Sequence, residues 1–286
     1  MQFKMVSYAD NFEDVLIRRA FPDIHDGFYI DVGAFDPVEH SVTHHFSERG
    51  WRGINIEPNP AQFARIQAQR DRDVNLNFGL SNQEGQLSLY EAPGTCWAAD
   101  LRMLTGYFGA RADQIVEHKI PVSTLAQVCE RHVPAGREIE FLSIDVEGHE
   151  GAVIEGGDWS RWRPRIVVCE ANEFEKWDAF LLSVDYLFAL FDGVNRFYVR
   201  KEDKALLPKV SVPVNISDSF LIHGYLKRIN ELERSLSQYQ ELERTMSQYG
   251  DLNPMALRVA RGLSKTARRH PRAASIARKI ARRLYA

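Results

Sequence analysis

Between residues 10 and 200 the chain alternates short apolar runs with amphipathic stretches. Residues 28–33, Phe28-Tyr29-Ile30-Asp31-Val32-Gly33, are an apolar run ending at a glycine, which reads as a buried strand. Residues 52–57 read as a second strand, stopped by Pro58 and Pro60. Residues 61–70 follow as a helix, 74–80 as a third strand and 86–91 as a short fourth. Residues 95–117 mix glycines and aromatics without a clean period and read as a loop with some helix, a candidate lid. Residues 120–123, 139–145 and 165–170 read as further strands, with helices over 124–132 and 149–155. Residues 186–191 and 196–200, separated by Gly193, read as an antiparallel pair. A short helix over 10–19, capped by Asn11, precedes them all, with Phe12, Val15 and Leu16 on one face. Buried strands alternating with helices predict an α/β fold, Rossmann-like, with a mostly parallel sheet. The terminal hairpin predicts an antiparallel strand near one edge.

The pattern changes near Leu226. Leu226, Ile229, Leu232 and Leu236 recur at helical spacing, followed by Leu242 and Met246. Two near-copies, Glu231-Leu232-Glu233-Arg234 and Glu241-Leu242-Glu243-Arg244, stand ten residues apart rather than seven, which argues against a long regular coiled coil. After Gly250 and Pro254, basic residues interleave with Leu257, Val259, Leu263, Ile276, Ile280 and Leu284. The chain therefore divides into an α/β domain over 1–222, a helical linker or oligomerisation helix over 223–250, and a basic amphipathic tail over 251–286.

Charge sharpens that division. The net charge of the 286 residues is −3, but residues 251–286 hold ten Lys or Arg against one acid, a surplus of +9 that leaves −12 for residues 1–250. Such a tail suits a membrane surface or an acidic partner. Its few aromatics and the acidic domain beside it argue against nucleic acid. No apolar run reaches the length of a transmembrane helix, and the N-terminus carries no cleavable leader pattern, so a cytoplasmic protein is expected. The three cysteines, Cys96, Cys129 and Cys169, are too few and too scattered for a disulfide framework or a zinc knuckle. Cys169, in the run Ile166-Val167-Val168-Cys169, reads as a buried core thiol.

Candidate chemistry gathers where strands end, since open α/β sheets bind ligands at their carboxyl edge. The first turn offers one glycine, Gly33, followed by Ala34-Phe35-Asp36-Pro37. A pyrophosphate would need more glycines and fewer acids there. A cofactor with a cationic sulfonium and an α-amino group suits that turn better. Asp31 is a charge inside an apolar strand, costly unless paired. Glu57, at the end of the second strand, is placed to accept both hydroxyls of a ribose. Asp145-Val146-Glu147-Gly148-His149-Glu150 is the densest titratable cluster in the chain. The His40, His44 and His45 run meets no zinc pattern and reads as surface, packing or substrate contact, with His44 the substrate candidate.

The motifs Ser7-Tyr8 to Glu13-Asp14, Asp31-Val32-Gly33-Ala34, Gly50-Trp51-Arg52-Gly53-Ile54-Asn55-Ile56-Glu57-Pro58, Ile144-Asp145-Val146-Glu147-Gly148-His149-Glu150 and Arg163-Pro164-Arg165 through Glu170 occur in one order. In that order they resemble the FkbM-type methyltransferases over roughly residues 5–200. Ala9-Asp10 departs from the resemblance, since many relatives carry a Gln nearby. The resemblance implies the seven-stranded fold of class I methyltransferases and methyl transfer from S-adenosylmethionine to a hydroxyl, often on a sugar. Phe191-Asp192-Gly193-Val194-Asn195 resembles members that accompany glycosyltransferases, which implies surface-polysaccharide work at the inner face of a membrane. Expected cofactor contacts are Asp31, Gly33, Ala34, Glu57, Ser81 and Asp145. Expected proton acceptors are Asp145, His149 and Glu147. Expected acceptor contacts are Glu170, Trp97 and His44. Magnesium held by Asp145, Glu147 and Glu170 is a further expectation. The rival readings are an O-methyltransferase of a small metabolite and a non-catalytic cofactor-binding scaffold that recruits glycan-assembly enzymes.

Overall fold

Strands that are apolar on both faces need cover on both sides, and that need organises the N-terminal part of the chain. The computed structural model describes residues 5–92, 97, 98, 105, 112–171 and 177–248. The elements begin with β1 (Met5–Ser7), α1 (Glu13–Ala20), β2 (Phe28–Val32), α2 (His44–Glu48), β3 (Arg52–Ile56), α3 (Pro60–Gln69) and β4 (Val74–Leu76). They continue with β5 (Gly79–Leu80), β6 (Gly85–Glu91), β7 (Val116–Ser123), α4 (Leu125–His132), β8 (Phe141–Ile144), α5 (Glu150–Glu155) and β9 (Ile166–Glu170). The last are α6 (Asp178–Ser183), β10 (Tyr186–Phe191), β11 (Asn195–Arg200), α7 (Leu207–Val210), β12 (Phe220–Ile222) and α8 (His223–Gln248). Contacts divide the chain into two units, Met1–Ile222 and His223–Ala286. The basic segment 251–286 lies outside the described residues.

The main sheet runs β10-β11-β9-β8-β2-β3-β4. β4, β3, β2, β8 and β9 are mutually parallel, and β11 runs antiparallel to both β9 and β10. The sheet is therefore mostly parallel, with its reversed strand one in from an edge. Alternate side chains cover the two faces. Ile30, Ile54, Leu142 and Val167 pack on one side against Val128 of α4 and Val153 of α5. Tyr29, Phe141, Val168 and Phe197 pack on the other against Leu16 and Ile17 of α1. There Phe46, Trp51 and Phe141 form an aromatic cluster with centroids 4.8–6.2 Å apart. Cys169 is fully buried in the first core, as its apolar run predicts.

Several local expectations need correction. Asn11 does not cap α1. Phe12 holds the cap position in a left-handed conformation (φ 66°) with no side-chain cap bond. The entry is secured by buried acids instead. Asp14 accepts from the Ser7 hydroxyl at 2.7 Å and the Tyr8 N–H at 2.8 Å, and Glu13 accepts from the Asn11 N–H at 3.0 Å. Pro60 does not merely stop a strand. It opens α3, whose cap is Asn59, accepting from the Ala61 N–H at 2.9 Å. The expected strand over 74–80 breaks into β4, in the main sheet, and β5, in a separate sheet of order β5-β7-β6. Asn77 sits at the break and donates to the carbonyls of Glu57 and Pro58 at 2.9 and 3.0 Å. That tie bends the chain between the two sheets.

Two elements have no local sequence signal. β1 pairs in parallel with β12, Met5 with Phe220 through Ser7 with Ile222. Three-residue strands separated by the whole domain leave no local period. The pair is reinforced by Arg19 on α1, which reaches Asp218 with Nε at 2.8 Å and Nη2 at 2.6 Å and the carbonyls of Lys209 and Val212 at 3.0 and 2.6 Å. One guanidinium thereby ties the last residues of the unit to its first helix. Arg19→Ala removes these bonds and is expected to cost about 1–3 kcal/mol of stability, read as a lower urea midpoint, with Arg19→Lys intermediate.

Candidate active site

The carboxyl ends of β3, β2 and β8 lie side by side, and backbone bonds lock them together. The N–H groups of Gly33 and Ala34 donate to the Ile56 carbonyl at 3.0 and 3.2 Å, and the Asp145 N–H donates to the Val32 carbonyl at 3.0 Å. Gly33 has φ +85°, and a Cβ there would stand 1.8 Å from the Asp145 carbonyl oxygen. The glycine is needed for approach to a neighbouring backbone as well as for the turn. A cavity of about 600 Å³ opens over these ends, within the size range of small-molecule sites. It brings together Asp31, Gly33, Ala34, Glu57, Asp145, Glu147, His149 and Trp97 from the sequence-based set. Ser81, Glu170 and His44 do not line it.

The carboxylates are held by neutral donors and by each other. Asp31 is buried and accepts from the Thr43 hydroxyl at 2.9 Å, while burial pushes its carboxyl up to about 6. Glu57 accepts from the N–H of Phe35 at 2.8 Å and of Asn59 at 2.7 Å, one on each oxygen. Burial still pushes it up to about 7. Each oxygen keeps a second lone pair for a ligand hydroxyl. Asp145 is exposed at the cavity. Desolvation, then the nearby Glu147 charge, push Asp145 up to about 7. Glu170, hydrogen-bonded to it, is pushed up by burial and by the Asp145, Glu147 and Glu150 charges. Two carboxyl groups this close resist both being ionised, and the pair titrates together.

The loop after β8 is shaped by its own acids. Glu147 and Gly148 both have positive φ, +53° and +98°. For a glutamate that conformation costs about 1 kcal/mol or more. Glu150, buried at the start of α5, accepts from the N–H of Gly148 at 3.0 Å and of Val146 at 3.3 Å. Its carboxylate thus folds the loop back on the helix. His149 stands at the head of α5, 3.1 Å from the Ser81 hydroxyl through Nε2. Burial lowers its pKa, so the imidazole is neutral at pH 7. Ser81, expected as a cofactor contact, does not line the cavity and is hydrogen-bonded to His149.

The histidine run separates. His44 packs edge-on against the Tyr8 ring, centroids 4.3 Å apart, and its Nε2 is 3.5 Å from Glu48. His45 is buried, and burial depresses it to about 3. His40 reaches the cavity and pairs through Nδ1 with Asp10, which also lines it. Nothing local in the sequence signals this pair. It depends on a parallel bridge between Ala9 and His40. Trp97 stacks on His118 with centroids 4.0 Å apart and planes at 12°, and His118 pairs with Glu91 of the cavity wall at 2.9 Å. Trp97 and Glu91 thus both border the cavity, tied together through His118.

The expected magnesium set finds no support. Among the described residues no group of three or more His, Cys, Asp or Glu is arranged to hold a metal ion.

A family model described as a methyltransferase FkbM domain matches residues 31–190. No curated protein matches the chain significantly. Among solved structures, a precorrin-6Y C5,15-methyltransferase from Geobacter metallireducens GS-15 is 10% identical. The match covers 69% of this chain and 94% of that one, with a TM-score of 0.38. The C-terminal domain of the Rhodobacter capsulatus precorrin-6Y C5,15-methyltransferase is 13% identical. It covers 65% of this chain and 85% of that one, with a TM-score of 0.33. Likenesses at these scores carry no argument about chemistry.

The anchoring of the 145–149 loop can be tested without any ligand. Glu150→Ala is expected to speed hydrogen exchange at the Val146 and Gly148 amides and to cost about 1–3 kcal/mol of stability. Unchanged protection of those two amides would show that another group holds the loop.

Proposed function

The chain belongs to the FkbM methyltransferase family, and on that premise we propose that it moves the methyl group of S-adenosylmethionine to a hydroxyl of a sugar in a surface polysaccharide or glycolipid. The observation that supports this most is the meeting of Asp31, Glu57 and Asp145 at the ends of three adjacent strands around one cavity. The residues fit the cofactor. Glu57, with one lone pair left on each oxygen, accepts the two ribose hydroxyls. The carboxyl groups of Asp31 and Asp145, both lining the cavity, complement the cationic end. Gly33 and Ala34 bring their backbone to the cavity without bulk. Bound there, S-adenosylmethionine supplies a methyl carbon already activated by its sulfonium.

The protein's work is then alignment and proton removal. Held by Asp31, Glu57 and the Gly33–Ala34 backbone, the cofactor would present its methyl group to an acceptor hydroxyl positioned in the same cavity. The hydroxyl proton passes to a base. His149 suits that role best of the three candidates, being neutral, at the cavity and oriented by Ser81. Asp145 is already hydrogen-bonded to Glu170, and Glu147 lies in the left-handed turn of the loop. Trp97 offers its face to a sugar ring. Glu170 acts through Asp145 and not on the acceptor. No helix among the described residues is long and apolar enough to cross a membrane. Segment 251–286, whose charge suits an anionic surface or a glycosyltransferase partner, would bring the enzyme to its substrate there.

Calorimetric titration with S-adenosylmethionine tests the cofactor site. Wild type is expected to bind saturably, with Glu57→Ala weaker by at least about tenfold, the loss of two hydrogen bonds to a charged acceptor. Ionised Asp31 and Glu57 are the binding forms, and burial holds them near 6 and 7. Affinity is therefore expected to rise as pH passes from about 5.5 to 7.5 and then to level. Folded wild type that binds neither the cofactor nor its demethylated product overturns the reading.

The base is tested separately, by methyl transfer from labelled cofactor to a panel of methyl glycosides and glycolipids. His149→Ala is expected to lower turnover by about 10²–10⁴-fold with cofactor affinity kept. Turnover unchanged in that variant assigns the base elsewhere.

A further inference from the structure

The helix α8 carries an apolar stripe that the catalytic reading does not use. Tyr225, Ile229, Leu232 and Leu236 are 69%, 49%, 53% and 57% exposed. Their spacing is four, three and four, and Tyr239 continues it by three. This is the alternation of d and a positions in a heptad, with Tyr225, Leu232 and Tyr239 at d and Ile229 and Leu236 at a. The opposite positions are Lys227, Asn230, Glu231, Arg234, Ser237 and Gln238, all polar and exposed. The ten-residue offset of the two near-copies is then a heptad plus three. Leu242 follows Tyr239 after three residues in place of four, the step of a stammer in a heptad pattern.

We propose that this stripe pairs with the same stripe of a second copy of the chain, as a parallel, in-register two-stranded coiled coil. Three features select that occupant. A β-branched residue at a with leucine at the next d, as in Ile229 and Leu232, favours two strands. The flanking charges are self-complementary in that arrangement. Arg228 falls at g and Glu233 at e, five residues on, so each copy's Arg228 faces the other's Glu233. Both pairs form at once under two-fold symmetry, as an isologous interface requires. An antiparallel pairing that matches Tyr225 with Leu236 and Ile229 with Leu232 loses both: Arg228 meets Ser235, and Glu233 meets Leu226. Arg228 also bonds Glu231 of its own helix at 3.1 Å, which holds the side chain on the flank of the stripe. A dimer through α8 would couple two methyltransferase units, a use that suits a repetitive glycan bearing many acceptor hydroxyls.

Sedimentation equilibrium of the full chain tests this directly. Wild type is expected to be a dimer, and Ile229→Asp with Leu236→Asp a monomer that still binds S-adenosylmethionine as wild type does. Glu233→Arg is expected to weaken the dimer at least tenfold at low salt, and Arg228→Glu added to it to restore most of that loss. Register and direction are read by cysteine pairing in a Cys96→Ser background, where Cys129 and Cys169 are buried. Leu232→Cys, at a d position, is expected to cross-link two copies on mild oxidation, and Ser237→Cys, on the outer face, is not. A monomeric wild type up to its solubility limit overturns the proposal. So does a trimer or larger species, a dimer indifferent to both aspartates, or cross-linking at Ser237 in place of Leu232.

Discussion

The site depends on how closely two backbones approach at Gly33. Its α carbon lies where any side chain would strike the Asp145 carbonyl, and its φ of +85° is open to few other residues. That contact joins the ends of β2 and β8, while the bonds from Gly33 and Ala34 to Ile56 join β2 to β3. The chain leaves β2 toward one side of the sheet and returns to β8 on its other side. The crevice left at that switch is where open α/β sheets bind ligands. Asp31, Glu57 and Asp145 face one cavity because three strand ends are held at this spacing.

Crowding acids in this way has a cost, and the surroundings show how it is met. Thr43 donates to Asp31, two backbone N–H groups donate to Glu57, and Asp145 shares a hydrogen bond with Glu170. These partners offset part of the desolvation that raises the three carboxyls, and a cationic ligand would favour their ionised forms. The wall beside it is braced from behind by Arg70, buried, whose guanidinium donates to the Pro37 carbonyl at 2.7 and 3.1 Å and to the Ser41 hydroxyl at 3.2 Å. Tyr29, reached by the same guanidinium, hydrogen-bonds Asp73 at 2.5 Å. Left-handed residues gather around this cavity: Phe35, His40 and Glu147. Strain of that kind persists only where the neighbours over-determine it, and Glu57, Asp10 and Glu150 each bond to the strained residue or its loop.

Much of the frame was legible along the chain. The strand cores, the crossover helices, the terminal hairpin and the acids at strand ends all follow from patterns a few residues long. Where reading failed, the decisive partner was distant. Asn11 looked like a cap, but α1 is entered through Glu13, whose buried carboxyl accepts from the Asn195 amide 182 positions away. Residues 74–80 looked like one strand, but Asn77 bends them into two sheets. Arg19 shows no motif, yet it holds a segment 199 positions away.

The sequence by itself determined the fold class, the glycine at the first turn and the carboxylates that end the strands. Alternation, turn propensity and charge in an apolar run act over neighbouring residues and are visible there. Only the tertiary structure decided what each polar group serves. Ser81 turns to His149, Glu170 to Asp145, Asp10 to His40, and His44 leaves the cavity for the Tyr8 ring. Those pairings are set by sheet register and loop path, and a buried polar group takes whichever partner that geometry brings within hydrogen-bond reach.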